Sequence, residues 1–328
     1  MMIEMTMRAL ADPTRLRIMR LLSAMELAVG ELAQVLGQSQ PRVSRHVAIL
    51  CDAGLAERHR EGSWVFLRSC AGSERGTAIG EAVARLLAIA EREDTEFATM
   101  CADDRRQLAN IRGAREHSAA EYFAVHAEEW DELRKLHSAD QIVEDRLLEA
   151  LGEQHLGQML DIGTGSGRMA ELFAPMADRV IALDKSLDML RVARAKLQNL
   201  PADSVELVQG DFLTLPFQAH RFDTVLLHQV LHFAQDPAAA LAEAARVTRP
   251  EGRIAIVDFA AHQREDLRDK HAHVRLGFSD KAIKELLREA GYQPEKPIAL
   301  DEGELTVKIW LGTRLGLPVA TDTRKVAS

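Results

Sequence analysis

Cysteine is scarce in this chain: 328 residues hold three, Cys51, Cys70 and Cys101. Three scattered thiols cannot build a disulfide framework. Their rarity fits a reducing compartment, so a cytoplasmic location is expected. Nor do they make the closely spaced thiolate pair of a soft-metal site; buried small side chains are the simpler reading than ligands, and no metal is expected. Aromatic residues are also few, at 5%. No run of about 18 apolar residues occurs, so no membrane span is expected. The start, MMIEMTMRAL, lacks the apolar segment of a secretory signal. Lysine is absent from residues 1–70, where nine Arg face seven Asp and Glu for a net +2, leaving −11 to the remainder of a chain of net −9. A basic module followed by an acidic one is compatible with nucleic-acid binding at one end only. What the chain does have is 47% apolar residues, enough for real cores, and a length that corresponds to about two domains.

In the first seventy residues Asp12 can cap a helix that has Pro13 in its first turn and Leu16, Met19 and Leu22 on one face. A second helix is predicted from Val29 to Leu36 with Gly37 as its stop. Ser39 can cap a third, with Pro41 in its first turn and Val43, Val47 and Leu50 as its buried stripe. Its other face carries Gln40, Arg42, Ser44 and Arg45. Two short helices and a tight turn describe a helix-turn-helix, in which Arg pairs with guanine, Gln with adenine, and Ser or further Arg with phosphate. A helical hairpin with a solvated polar face fits the helices equally well. The segment from Gly54 to Arg68 tips the balance: strand, Glu61-Gly62-Ser63 turn and returning strand make the wing of a winged helix. Candidate DNA contacts are Gln38, Ser39, Gln40, Arg42, Ser44, Arg45 and His46, with Arg60 and Arg68 on the wing.

The stretches ALADPTRLRIMRLL and GELAQVLGQSQPRVSRHVAILCDAGLAERHREGSWVFLR resemble the ArsR/SmtB-type repressors over about residues 5–70. The resemblance implies a homodimer on inverted-repeat operator DNA. Many such repressors carry a Cys-x-Cys metal site beside the second helix; Ala28 and Gly30 stand there in this sequence.

Residues 74–119, rich in Ala, Glu and Arg, read as a continuous helix, with Leu86, Leu87 and Ile89 available to pair with a second subunit or simply forming a solvated spacer. Tyr122, His126 and Trp130 follow at helical spacing on one face. They serve either to pack this helix onto the next domain or as a lid over a ligand.

Next comes Leu160-Asp161-Ile162 as a strand, Gly163-Thr164-Gly165-Ser166-Gly167 as a turn, and a helix opening at Arg168. Glycines let the backbone turn sharply and approach a ligand closely. A dinucleotide fingerprint would need its third glycine at Arg168; Asp161 with Gly163, Gly165 and Gly167 is the S-adenosylmethionine pattern instead. The second strand ends on Asp184, whose carboxylate can accept from ribose hydroxyls, and Lys185 follows it. The third ends Gly210-Asp211-Phe212, an acceptor for an adenine amine and a ring to cover it. The fourth, 222–228, ends on His228; a fifth spans 253–259 and a last 305–311, with helices near 186–198, 237–247 and 280–290. Alternation of this kind predicts a parallel, doubly wound sheet with ligand at the strand C-termini.

Together these segments, including FDTVLLHQVLHFAQDPAAALAEAARVTRPEGRIAIVDF, resemble class I S-adenosylmethionine-dependent methyltransferases of the ubiquinone/menaquinone-biosynthesis type over about 120–312. The cofactor set is then Asp161, Gly163, Thr164, Gly165, Gly167, Asp184, Lys185, Asp211, Phe212 and His228, with Tyr122 and Trp130 from the leading helix. His228, His232 and His273 are candidate bases, or else structural histidines.

The expected architecture is multidomain. A winged helix-turn-helix, mostly α with a β wing, spans 1–72, and a helical dimerisation or linker segment spans 73–118. An α/β Rossmann-like methyltransferase domain spans 119–315, followed by a flexible tail to 328. The expected function is a transcriptional regulator whose second domain binds S-adenosylmethionine or S-adenosylhomocysteine as effector. The alternative is an active methyltransferase on a small molecule with an autoregulatory DNA-binding domain. Methylation of DNA itself is disfavoured, because no base-flipping amine-recognition box is present.

Overall fold

The computed structural model describes residues 2–61, 64–71, 78–127, 140–152, 155–201 and 203–316. Two compact units emerge, Met1–Ala119 with Gln263–Asp266, and Ala120–His262 with Leu267–Ser328.

In the first unit, α1 (Met2–Leu10) precedes α2 (Pro13–Leu22), whose cap is Asp12: its Oδ1 accepts from the Arg15 N–H at 3.1 Å. A two-residue strand, β1 (Leu27–Ala28), leads straight into α3 (Val29–Leu36). Glu31 Oε2 reaches back to accept from the Ala28 N–H at 2.9 Å, satisfying a donor at the helix start. Gly37, at φ 62°, ends α3 in the left-handed conformation that glycine adopts without strain. Helix α4 (Gln40–Asp52) follows. Ser39 is its N-cap residue, but the hydroxyl makes no capping bond, so the start rests on the proline in the first turn. Strands β2 (Ala56–Glu61) and β3 (Trp64–Ser69) pair antiparallel, and β3 also pairs with β1. The turn residues 62 and 63 lie outside the described residues.

The connector differs from the continuous helix that its composition predicts. It is two helices, α5 (Ala78–Glu93) and α6 (Thr95–His126). Asp94 makes the break, because its Oδ1 accepts from the N–H groups of Glu96 and Phe97, both at 3.0 Å, and so begins a new helix. Val83 and Leu87 of α5 and Phe97, Cys101 and Leu108 of α6 join one core with Ile18, Leu32, Val43 and Leu50.

In the second unit the order is α7 (Asp140–Gly152), β4 (Gln158–Ile162), α8 (Arg168–Phe173), β5 (Arg179–Asp184), α9 (Leu187–Leu197), β6 (Val205–Gln209) and β7 (Phe222–His228). There follow α10 (Pro237–Val247), β8 (Thr248–Phe259), α11 (Asp266–His271), α12 (Asp280–Glu289), β9 (Tyr292–Pro294), β10 (Ile298–Leu300) and β11 (Val307–Arg314). The sheet runs β6-β5-β4-β7-β8-β11-β10, with β9 also on β11. Strands β4 to β8 pair in parallel.

The all-parallel expectation is corrected at one edge: β11 is antiparallel to β8, β10 and β9, so the sheet is mixed. The link between β10 and β11 is residues 301–306, too short for the crossover a parallel pair requires. The central strands are buried on both faces. Leu160, Ile162, Ile181, Leu183, Val225 and Ile256 share one core, and Met159, Val180, Ala182, Leu226 and Val257 the other. Among the described residues no helix is long and apolar enough to cross a membrane.

Candidate functional site

The glycine turn sits where β4 leaves the sheet. Gly163, Gly165 and Gly167 have φ of 70°, 54° and 83°, a region that strains any residue with a Cβ. The N–H groups of Gly163 and Thr164 donate to the Leu183 carbonyl at 2.8 and 2.9 Å, which fastens the turn to β5. A Cβ on Gly163 would lie 2.3 Å from Val230 Cγ2, so the turn after β7 also presses on it. Beneath the turn, the Thr164 hydroxyl donates to Asp161 Oδ2 at 2.6 Å, and both residues are buried.

Asp184 at the end of β5 accepts from the Gly165 N–H at 2.8 Å through Oδ2 and from the Ser186 N–H at 2.8 Å through Oδ1. Burial pushes this carboxyl above the usual carboxylate range, and the backbone donors partly offset the shift. Each carboxylate oxygen can accept more than one hydrogen bond. Asp184 therefore holds the turn and retains acceptor capacity for ligand hydroxyls. At the end of β6, Asp211 accepts from Lys185 Nζ at 2.8 Å and from the Leu213 N–H at 2.9 Å. Phe212 is half-buried against the sheet core. Lys196 Nζ donates to Ser166 at 3.1 Å.

Arg168, which occupies the third-glycine position of a dinucleotide site, grips both oxygens of buried Glu144 at 2.8 and 2.6 Å and Glu171 at 2.9 Å. Its hydrogen bond to Glu144 raises the guanidinium pKa above its ordinary value. The side chain thus clamps α7 to α8. Three glycines in the left-handed region, a strand-end acid with spare acceptor sites and a second acid one strand away fit a nucleoside with its amino-acid tail.

Beyond β7 the chain turns sharply at Gln229, φ 51°, and enters a short 3-10 turn, Leu231–Phe233. His228 is buried at the strand end. His232 Nδ1 lies 2.7 Å from Asp258 Oδ1, with the two side chains 3% and 0% exposed. Asp258 also accepts from the backbone N–H groups of His232 at 3.1 Å and Phe259 at 2.8 Å. The His273 ring stacks on His232 with centroids 4.1 Å apart. Phe233 and Phe259 flank the pair. Sequence reasoning missed Asp258. Its signal was an acid closing the apolar run Ile254–Val257, one residue beyond the Val257 that registers with His228.

From the end of α6, Tyr122 meets His271 Nδ1 at 2.8 Å through its hydroxyl, and Phe123 packs edge-on against Phe233 at 5.0 Å. Burial raises the Tyr122 pKa. Trp130, expected on the same face, lies outside the described residues.

In the winged helix, Ser39, Gln40, Arg42, Ser44 and Arg45 are exposed together along the start of α4, and Arg60 is exposed on β2. Three of the candidate contacts, Gln38, His46 and Arg68, lie against residues of the same unit instead. Gln38 Nε2 donates to Thr14 Oγ1 at 3.2 Å, and His46, 14% exposed, lies 3.7 Å from Asp12. Arg68 pairs with Glu57 across the hairpin. Behind these elements, Arg112 sits 3.7 Å from Glu31, the acid that completes the start of α3, and Arg17 pairs with buried Asp104. Glu91 is held between Arg20 and Arg105. Its burial would raise the carboxyl, but the two guanidinium groups overcome that and leave it below the usual range.

Residues 12–58 match the family model described as bacterial regulatory protein, arsR family, and residues 160–256 match the methyltransferase domain. A demethylmenaquinone methyltransferase of Thermobifida fusca is 39% identical over 102 residues, 31% of this chain and 43% of that protein. The enzyme of the same name from Renibacterium salmoninarum is 32% identical over 114 residues, 35% of this chain and 46% of that protein. The chain spans less than half the length of these relatives. Among solved structures, the YcgJ protein of Bacillus subtilis superposes with a TM-score of 0.46 at 19% identity, covering 53% of this chain and 98% of its own. The match to the methyltransferase domain supports binding of S-adenosylmethionine or its demethylated product S-adenosylhomocysteine by the second unit. The chain joins an arsR-family regulatory-protein domain at residues 12–58 to a methyltransferase domain at residues 160–256.

Proposed function

We propose that this protein is an arsR-type transcriptional regulator, working as a homodimer on inverted-repeat operator DNA, with S-adenosylmethionine or S-adenosylhomocysteine as its effector. One observation carries the reading. A single chain holds both an exposed basic recognition helix, with Arg42 and Arg45 side by side, and a strand-end nucleoside cradle built on Gly163–Gly167 and Asp184. Ala28 and Gly30 occupy the positions where the resemblance would place a thiolate pair, so a nucleoside takes the place of the metal effector. Regulation then requires only that the ligand bind the DNA-competent and DNA-incompetent states with different affinity. The test is operator affinity across a salt series without ligand and with each nucleoside. Identical affinity and salt slope in all three would sink the effector role.

A second reading, an active methyltransferase on a small-molecule acceptor, is favoured by a different observation: the buried Asp258–His232 pair on the turn that packs against Gly163.

A further inference from the structure

We propose that His232, positioned by Asp258, is the general base of a methyl transfer to a small acceptor whose hydroxyl or thiol must lose its proton. The inference rests on the second reading above and is independent of operator control. In the proposed arrangement Asp258 is a carboxylate, which only accepts, and the 2.7 Å contact then puts the imidazole proton on Nδ1. That leaves Nε2 as the lone-pair nitrogen, the atom a base needs. The backbone N–H of His232 bonds the same carboxylate, and its carbonyl accepts from the N–H groups of Val274 and Arg275 at 3.1 and 2.9 Å. Ring and main chain are therefore both fixed.

The position suits the chemistry. Val230, two residues earlier, bears on the glycine turn that cradles the nucleoside, and strand C-termini are where ligands of such sheets meet. Flanking rings of Phe233, Phe259 and His273 keep water from the imidazole. His228 from β7, Asp258 from β8, and His273 and Arg275 from the segment before α12 are the polar groups gathered around this turn.

In the transfer, the acceptor oxygen or sulfur forms a bond to the methyl carbon as the carbon–sulfur bond of the sulfonium breaks. The electron pair of that bond stays on sulfur, giving neutral S-adenosylhomocysteine. The acceptor proton passes to Nε2, and the imidazolium so formed faces the Asp258 carboxylate; once the methylated product has left and water enters the space it vacates, the proton passes to that water.

The experiment uses the full chain, methyl-labelled S-adenosylmethionine, and a panel of phenols and alkyl thiols graded in acidity. Labelled product is expected from at least one acceptor. His232→Gln is expected to lower kcat for it by about 10²–10⁴-fold, with far less loss for a phenol that is already ionised. Calorimetry with S-adenosylhomocysteine on the same variant should give unchanged stoichiometry and an affinity within about threefold, showing that the fold persists. Nitrogen NMR of the histidine-labelled native chain provides an arm free of turnover: His232 should carry its proton on Nδ1, and Asp258→Asn should shift the proton towards Nε2. No labelled product from the whole panel, equal kcat in His232→Gln, or a native proton on Nε2 would each overturn the proposal. Operator binding measured in parallel separates this failure from failure of the regulatory reading.

Discussion

The Asp184 carboxylate accepts the Gly165 N–H at 2.8 Å, so the acid at the end of one strand holds the glycine turn at the end of its neighbour. One side chain thereby shapes the turn and, in the proposed reading, also receives the ligand's hydroxyls. Its replacement acts on both. Asp184→Asn should weaken S-adenosylhomocysteine binding by about 1.5–3 kcal/mol, the range for hydrogen bonds to a charged group, read by calorimetry. A variant that binds as tightly as the native chain would place the ribose elsewhere.

The same residue sets a pH dependence. Burial raises the folded-state pKa of Asp184 above its unfolded value, so on this group alone folding is favoured by protonation. That contribution is present at acid pH and is lost as pH rises through the folded pKa. Ligand binding runs the opposite way, because hydroxyl donors need the ionised carboxylate. Affinity for S-adenosylhomocysteine should fall on acidification at a pH above the ordinary Asp range, in a calorimetric pH series, and this fall should vanish in Asp184→Asn.

Gly163→Ala meets two obstacles at once. The backbone is at φ 70°, and the new methyl would sit 2.3 Å from Val230 Cγ2. A loss of about 1–3 kcal/mol in denaturant unfolding is expected, together with weaker nucleoside binding. Val230→Ala in the same background should restore part of the stability, since it removes the 2.3 Å contact and leaves the 3.0 Å approach to Cβ and the backbone strain.

The exposed and inward-facing residues of the recognition region should separate in a binding experiment. With duplexes selected from random sequence, Arg45→Ala should cost about 1–3 kcal/mol and relax the preference at one base pair, or lower the salt slope by about one if it holds a phosphate. His46→Ala and Gln38→Ala should chiefly lower thermal stability, because both side chains are half-buried, His46 near Asp12 and Gln38 bonded to Thr14. Strong loss of base preference in His46→Ala would show that the reading face is rotated.

Asp104→Ala tests how the connector is held to the winged helix. Asp104 is 3% exposed and paired with Arg17, whose guanidinium pKa its hydrogen bond raises. Removing one partner of a buried pair costs about 3–5 kcal/mol. Arg17 is 23% exposed and can regain some water, so a loss of about 2–3 kcal/mol in chemical unfolding is expected.

Much of the fold was legible because its signals are local. Pro13 and Asp12 start one helix, Gly37 ends another, and the alternation of apolar strands with helices from Gln158 onward describes an α/β sheet. Asp94 was overlooked in a charge-rich stretch because any of several acids there could cap a helix. Which one does depends on where Phe97 and Cys101 find a core. The antiparallel return of β11 was also hidden, since a strand's own pattern does not state the direction of its neighbour.

By itself, the sequence determined the two kinds of binding unit, the glycine turn and the acid at Asp184, since each depends on residue types at fixed short spacing. Only the tertiary structure brought Asp258 to His232, across 26 positions, and turned Gln38 and His46 inward while leaving Arg42 and Arg45 exposed. Register between neighbouring strands and the side of a helix that finds a core are settled by packing across the whole domain. No short window of sequence contains that information.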